Sequence, residues 1–323
     1  MKERVSSARG DPGAITRTFI VDGNEAGLRL DQFLCARIQR LSRNRVQTLI
    51  RRGEVDRGEE VMKVSSRVAE GDQIRLWRIP PPEPKVAAWP KVLARGDDWI
   101  ALDKPGDLTV HPSARYFHHT VTAWMNQQPE RFPDARLVHR LDRETSGILL
   151  VALGPAADRR LGQAFAKRQV EKEYLALVEG AFPAAGVDCD LALGPAVPPG
   201  VIRIKQVHRK DGDPSRTRFR LEQAIDQNLS LVRCFPETGR MHQIRAHLSL
   251  LGFPIVGDKI YGSAPDDDYD RFVAEGLSDD LIVSFGAPRQ LLHAAALSFP
   301  TPEGGRQRIE AKPPEDFLCF GVS

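Results

Sequence analysis

The chain has 323 residues, with 46 Lys/Arg against 43 Asp/Glu, a formal net charge of +3 and 41% hydrophobic residues. That length suits two domains and an ample apolar core. No apolar run reaches the length of a membrane span, and the opening MKERVSSARGDPG lacks the apolar centre of a signal peptide, so a cytoplasmic protein without membrane association is expected. Cys35, Cys189, Cys234 and Cys319 lie far apart with no C-x-x-C pair, which reads as free thiols rather than a disulfide framework or zinc site.

Residues 1–17 read as a flexible tail. In residues 28–41, Leu30, Phe33, Leu34, Ile38 and Leu41 recur at helical spacing and predict an amphipathic helix. Ser42 can cap a second helix with Val46, Leu49 and Ile50 on its apolar side, and Gly53 is placed to end it in a left-handed conformation. Short strands are expected around Val55, at Val61 to Val64 and at Ile74 to Leu76, with turns at Gly58 and Gly71-Asp72. The positive surplus of the chain belongs here, since residues 1–79 hold 16 Lys/Arg against 11 Asp/Glu. Arg37, Arg40, Arg43, Arg45, Arg51 and Arg52 occur with no acid among them, as phosphate-backbone binding requires; a solvated helix face is the competing reading. From GLRLDQFL through LSRNRVQTLIRRGEV to VAEGDQIRL, residues 18–79 resemble the S4 RNA-binding domain. One departure is Val55-Asp56-Arg57-Gly58, where that family usually carries Val-Asn-Gly.

Residues 80–90, rich in proline, predict a semi-rigid linker. Residues 91–323 then alternate strands (WIALD, GILLVAL, YLALV, LSLVRCF) with helices (DRRLGQAFAKR, HQIRAHLSLLG). The class expected is α+β, with a large mixed, mostly antiparallel sheet flanked by helices. Asp266 to Asp268, Asp270, Glu275, Asp279 and Asp280 read as a solvent-facing acidic loop.

The chemistry concentrates in HRLDRETSG at 139–147, which runs directly into the apolar strand from Ile148. Asp142 is the candidate nucleophile. A carboxylate serves in that role when the fold strips its water yet keeps it ionised, which calls for a nearby guanidinium; Arg140, Arg143, Arg240 and Arg245 are the candidates. Three segments accompany it: ALDKPGDLTVHPS at 101–113, VEKEYLALVEG at 170–180, where Tyr174 precedes a doubly apolar strand, and TGRMHQIRAHLSLLGFPIVGDKIYG at 238–262. In the last, Gly239 is read as the turn into a helix with Ile244, Leu248 and Leu251 on its buried stripe. Alone, Asp142 could close a turn, Tyr174 could be core and Arg245 a surface residue; their occurrence together shifts the odds.

With RQLLHAAALSFPTP at 289–302, these segments resemble the RluA family of RNA pseudouridine synthases over nearly the whole chain. The resemblance implies isomerisation of uridine in structured RNA, with large-subunit ribosomal RNA ahead of transfer RNA. Asp142 would attack either ribose C1′ or uracil C6, Arg245 would pair with it, and Tyr174 would stack on the base and relay a proton. Arg140 would fill the place of the flipped nucleotide, Arg240 would contact RNA, and Arg43, Arg45, Arg51 and Arg52 would bind RNA from the S4 domain. No cofactor or metal is implied, RNA is the expected partner, and a monomer is expected. His139 reads as a core residue that fixes the loop, and His242 is left open. Two departures stand out: Gly106-Asp107 shifts the family's glycine by one, and Asp213 replaces a usual basic residue. The competing class is an inactive S4-type RNA-binding protein in ribosome assembly.

Overall fold

The computed structural model describes residues 14–38, 43–58, 60–78, 83–84, 86–113, 116–197, 202 and 204–322. The chain divides into two compact units, Met1–Glu83 and Pro84–Ser323.

The first unit contains β1 (Ile15–Ile20), α1 (Leu30–Arg37), α2 (Arg43–Arg51), β2 (Val55–Arg57), β3 (Glu60–Val61) and β4 (Gln73–Arg78). Its antiparallel sheet has the order β1-β4-β2-β3. Leu30, Phe33 and Leu34 of α1 and Val46 and Ile50 of α2 pack on Phe19, Val55 and Ile74 of the sheet, each such burial contributing roughly 1.5–3 kcal/mol. The buried Asp31 carboxylate ties the two helices together, accepting from Arg29 Nε (3.1 Å), Arg43 Nε (3.1 Å) and Gln47 Nε2 (2.8 Å). Burial alone would raise its pKa, but these donors outweigh that cost and bring it to about 2.

Several expectations for this unit change. β1 begins at Ile15, inside the expected tail, because it pairs with β4 along its whole length. α1 ends at Arg37 rather than at 41, and Arg40, Leu41 and the Ser42 cap lie outside the described residues. Gly53 does end α2, at φ +73°. The acids missing from the arginine-rich stretch arrive through folding: Arg37 bonds Asp22 and Glu25, and Arg43 pairs with Asp31. Asp56, the departure from the S4 pattern, is buried and accepts from Arg75 and Trp77, so it locks β2 onto β4.

The second unit runs β5 (Lys91–Arg95), β6 (Trp99–Lys104), α3 (Val121–Asn126), β7 (Ala135–Leu137), β8 (Ser146–Leu153), α4 (Pro155–Ala166) and β9 (Glu171–Glu179). It continues with β10 (Val187–Cys189), β11 (Leu193–Pro195), β12 (Gln206–His208), β13 (Thr217–Ala224), β14 (Leu229–Pro236) and α5 (Gln243–Leu250). α6 (Asp266–Glu275), α7 (Asp279–Phe285), β15 (Leu292–Pro300), β16 (Arg306–Glu310) and α8 (Glu315–Leu318) complete it. Ten strands form one sheet, in the order β10-β13-β14-β9-β15-β8-β6-β5, with β16 beside β15 and β7 beside β8. All its pairings are antiparallel except β15 with β8, so the sheet is mixed as expected. Along β8 the two-residue period sends Leu149 and Val151 into one core, and Ile148, Leu150 and Ala152 into another beneath α4. Both faces are covered, which explains the unbroken apolar run.

Two boundaries also differ. The later part of the expected 80–90 linker belongs to the second unit: Pro84 accepts a hydrogen bond from His119, Val86 joins the core, and Trp89 stacks on Trp124. The acidic stretch is not a loop: Asp266 to Asp268 and Asp279 to Asp280 occupy the first turns of α6 and α7, where the helix dipole favours negative charge, while Leu281 and Phe285 are buried.

The parallel contact of β15 with β8 covers only two rungs, His293↔Ser146 and Ala294↔Gly147, after which the strands part. Ala294 also sits opposite Tyr174 on β9. The row Gly147, Ala294, Tyr174 therefore spans three strands and places the tyrosine near the point where the Asp142 loop leaves the sheet. Gly147 has φ +102°, and a Cβ there would lie 2.3 Å from the Ala294 carbonyl oxygen. Gly147→Ala is expected to cost about 3 kcal/mol or more, read as a fall in the thermal midpoint; an unchanged midpoint would refute the close approach of β8 and β15.

Candidate active site

The loop preceding β8 is held by side chains rather than by strand pairing. Lys104, fully buried at the end of β6, donates to the carbonyls of Pro105 (2.8 Å), Leu108 (2.9 Å) and Arg143 (2.9 Å). Burial, with Arg289 nearby, brings this amine down to about 7. Arg289 donates to the Glu144 carbonyl (2.8 Å), and the Glu144 carboxylate accepts from Lys259 Nζ (2.9 Å) and the Gln290 N–H (3.1 Å). His139 accepts from the Leu150 N–H (2.8 Å) and stacks on Phe165, fixing the loop as the sequence reading anticipated. The shifted glycine also finds its reason. A Cβ on Gly106 would lie 2.5 Å from the Arg289 side chain, and Asp107 supplies the left-handed turn at φ +64°.

Beside this loop lies a cleft of about 640 Å³, walled by residues 138–142, by Lys172 and Tyr174 of β9, and by residues 236–245 leading into α5. Arg245 joins two carboxylates there. Its Nη1 donates to Asp142 Oδ2 (2.9 Å), while Nε and Nη2 bond Asp258 Oδ2 and Oδ1 (2.7 and 2.8 Å). Asp258 Oδ1 also accepts the N–H groups of Ile260 (2.9 Å) and Tyr261 (3.0 Å). The side chains of Asp258, Arg245 and Asp142 are 0%, 7% and 24% exposed, so among the three Asp142 is the one open to the cleft.

Burial would push the Asp142 carboxyl up, but the Arg245 charge and hydrogen bond, helped by His242 and Arg140, hold it below the ordinary carboxylate range. Burial and the Asp142 charge push the Tyr174 phenol the other way, keeping its proton in place. Burial and Arg245 bring His242 down to about 4, so its imidazole is neutral. Burial and Arg168 lower Lys172 to about 8, and its Nζ donates to the Thr238 carbonyl (3.0 Å). The cleft thus offers an ionised carboxylate, a protonated phenol and a neutral imidazole, with cations at its edge.

Asp142, Tyr174, Arg245, Arg140 and Arg240 all line this one cleft. Arg140 is exposed and makes no ion pair with another described residue; Arg240 donates to the Pro214 carbonyl (3.3 Å) and lies 3.8 Å from Asp213. Arg143, a candidate partner for Asp142, instead bonds Asp107, Tyr116 and Glu144. Arg43, Arg45, Arg51 and Arg52 are exposed on the first unit. The turn into α5 that Gly239 was expected to open is completed by His242, the residue before the helix, which takes the left-handed conformation at φ +56°. Sequence reasoning missed Asp258, Tyr261 and Lys172 as parts of the site. The signal for Asp258 was the Gly257-Asp258 pair after an apolar run; Gly257 has φ +79°, and a Cβ on it would lie 2.0 Å from the Arg289 carbonyl oxygen.

Residues 98–250 match the family model for RNA pseudouridylate synthase. The chain is 35% identical over 304 residues to ribosomal large subunit pseudouridine synthase C of Escherichia coli, covering 90% of this chain and 91% of that protein. It is 33% identical over 325 residues to ribosomal large subunit pseudouridine synthase D of Nitrosomonas europaea, covering 98% and 90%. The solved human RNA pseudouridylate synthase domain containing 1 superposes with a TM-score of 0.55 at 29% identity, covering 72% of this chain and 86% of that one. The chain belongs to the RluA family of RNA pseudouridine synthases.

If Arg245 is what keeps Asp142 ionised, Arg245→Gln leaves burial dominant and the Asp142 pKa rises. Carbon NMR of labelled aspartate is expected to show its carboxyl titrating below the ordinary range in the wild type and above it in the variant. An unmoved titration would sink the pairing.

Proposed function

We propose that this protein isomerises uridine to pseudouridine in structured RNA, with large-subunit ribosomal RNA as substrate. The relatives named for the large ribosomal subunit support that choice of RNA. The observation that carries the chemistry is the Arg245–Asp142 hydrogen bond on the wall of an open cleft. Arg245 is fully protonated at any working pH, so Asp142 is presented as a carboxylate without waiting for a base. It serves as the nucleophile toward ribose C1′ or uracil C6; the C1′–N1 bond breaks, the base turns within the walls, C1′ is rejoined to C5 as the bond to Asp142 is released, and a proton leaves C5 while N1 takes one up.

A stacked nucleotide cannot reach Asp142, so the uridine is flipped into the cleft, a cost of a few kcal/mol. Arg140, exposed beside Asp142, takes the vacated place with its planar guanidinium. Tyr174 lies against the base, and its retained proton suits it to a hydrogen-bonding or relay role. Arg240 meets the RNA backbone at the rim.

The first unit acts as an S4-type RNA-binding domain. Its two helices over a small sheet and the exposed Arg45, Arg51 and Arg52 support this reading, and the Nitrosomonas relative aligns with 98% of the chain, this unit included. Arg43 contributes less, since it already pairs with Asp31. The protein is proposed to work as a monomer in the cytoplasm; among the described residues no helix is long and apolar enough to cross a membrane.

Release of tritium from C5-labelled uridine in precursor large-subunit RNA tests the activity. The wild type is expected to release it, and Asp142→Asn to lose turnover by about 1,000-fold or more while RNA affinity changes little. Release by wild type only from transfer RNA would move the substrate, and no release from either RNA would leave an RNA-binding protein. Arg51→Glu with Arg52→Glu is expected to weaken RNA binding at low salt and to reduce the slope of log affinity against log salt by roughly two. Unchanged affinity at low salt would remove the first unit from RNA binding.

A further inference from the structure

His242 forms part of the cleft wall, yet the isomerisation scheme gives it no task. Three observations single it out. It is a non-glycine residue at φ +56°, a conformation that costs free energy and persists only where surrounding structure holds it. Its side chain is 9% exposed, and Nε2 lies 3.8 Å from Asp142 Oδ2. Its Nδ1 lies 3.0 Å from the Tyr261 hydroxyl, whose ring stands edge-on at 88°.

A proton count along this chain points to one tautomer. The Gln206 backbone N–H can only donate, and it donates to the Tyr261 oxygen at 2.6 Å. The hydroxyl proton of Tyr261 then goes to His242 Nδ1, the acceptor within reach. Nδ1 is occupied as an acceptor, so the single proton of the neutral ring resides on Nε2, the nitrogen facing Asp142. Arg245 Nη1 addresses the same oxygen, Oδ2.

We infer that His242 is a positioning residue: its Nε2–H and the Arg245 guanidinium together hold Asp142 Oδ2, so that Oδ1 is the oxygen presented to the flipped nucleotide. The inference rests on Asp142 being the nucleophile. At 3.8 Å the contact is between a charge and a dipole rather than a finished hydrogen bond, and catalytic hydrogen bonds tighten when substrate closes a site. A second donor on Oδ2 limits rotation of the carboxylate about its Cβ–Cγ bond, which one guanidinium nitrogen alone leaves free. Burial beside Arg245 favours the neutral imidazole, in which Nδ1 can accept from Tyr261 while Nε2 carries the proton.

Two near-isosteric substitutions test the claim. In His242→Gln the side-chain amide nitrogen can take the place of Nε2, whereas in His242→Asn it can take only that of Nδ1. Backbone strain favours the reverse order, because Asn accepts left-handed geometry more readily than Gln. Under single-turnover conditions on C5-tritiated RNA, Gln is expected to hold the rate at saturating protein within about 5-fold of wild type, and Asn to lose about 10- to 100-fold, with RNA affinity unchanged in both. Equal rates, a better rate for Asn, or a loss confined to affinity would overturn the assignment. Asp142→Asn run alongside separates the two levels: if it retains turnover the nucleophile reading fails, and if it is dead while the His242 pair shows the wrong order, only the role of His242 fails.

Discussion

One guanidinium shared between two carboxylates organises the site. Arg245 is buried, and an unpaired buried cation would cost several kcal/mol, so its place depends on Asp258, which grips two of its nitrogens and is itself held by two backbone N–H groups. The remaining nitrogen is thereby aimed at Asp142. Bidentate geometry with Asp258 gives direction, which a lysine ammonium would not provide. The arrangement keeps Asp142 charged in a place where desolvation alone would neutralise it.

The loop around Asp142 depends on the same economy of buried charge. Lys104, Arg143, Glu144, Lys259 and Arg289 do not face the cleft chemistry, yet they bind the carbonyls and carboxylates that shape residues 142–146. Buried networks of this kind are destabilising when incomplete and rigid when satisfied. Among the described residues the buried side-chain polar atom left without a partner is Thr109 Oγ1, so the network around Asp142 is of the satisfied kind. The sheet contributes the other half of the positioning, through the row Gly147, Ala294, Tyr174.

Much of this was legible in the residues. The unbroken apolar run from Ile148 announced a buried strand, and the family resemblance carried by HRLDRETSG and TGRMHQIRAHL implied Asp142 and Arg245 as partners although 103 positions separate them. Local signals failed where tertiary structure decides. Asp258 reads as a turn residue until Arg245 is seen against it; the Arg37 and Arg43 charges look uncompensated until folding brings Glu25 and Asp31. The left-handed residue at the entry to α5 is His242, a non-glycine whose ring lies against the Tyr261 hydroxyl, which local sequence does not announce. The acidic stretch concealed α6 and α7, since few apolar residues, chiefly Leu281 and Phe285, suffice to anchor helices so short.

The two-rung junction between β8 and β15 has a temporal consequence. It joins Ser146 to His293, and Arg289 reaches back 145 positions to the Glu144 carbonyl. Such distant closures form late in folding, after local helices and hairpins. During synthesis the loop bearing Asp142 therefore emerges long before the segment that clamps it. A nascent or truncated chain ending short of Arg289 carries the whole HRLDRETSG stretch with Lys104 and Lys259 to bind it, but lacks the Arg289 and β15 contacts, so the loop is fully fastened only once the final strands are in place.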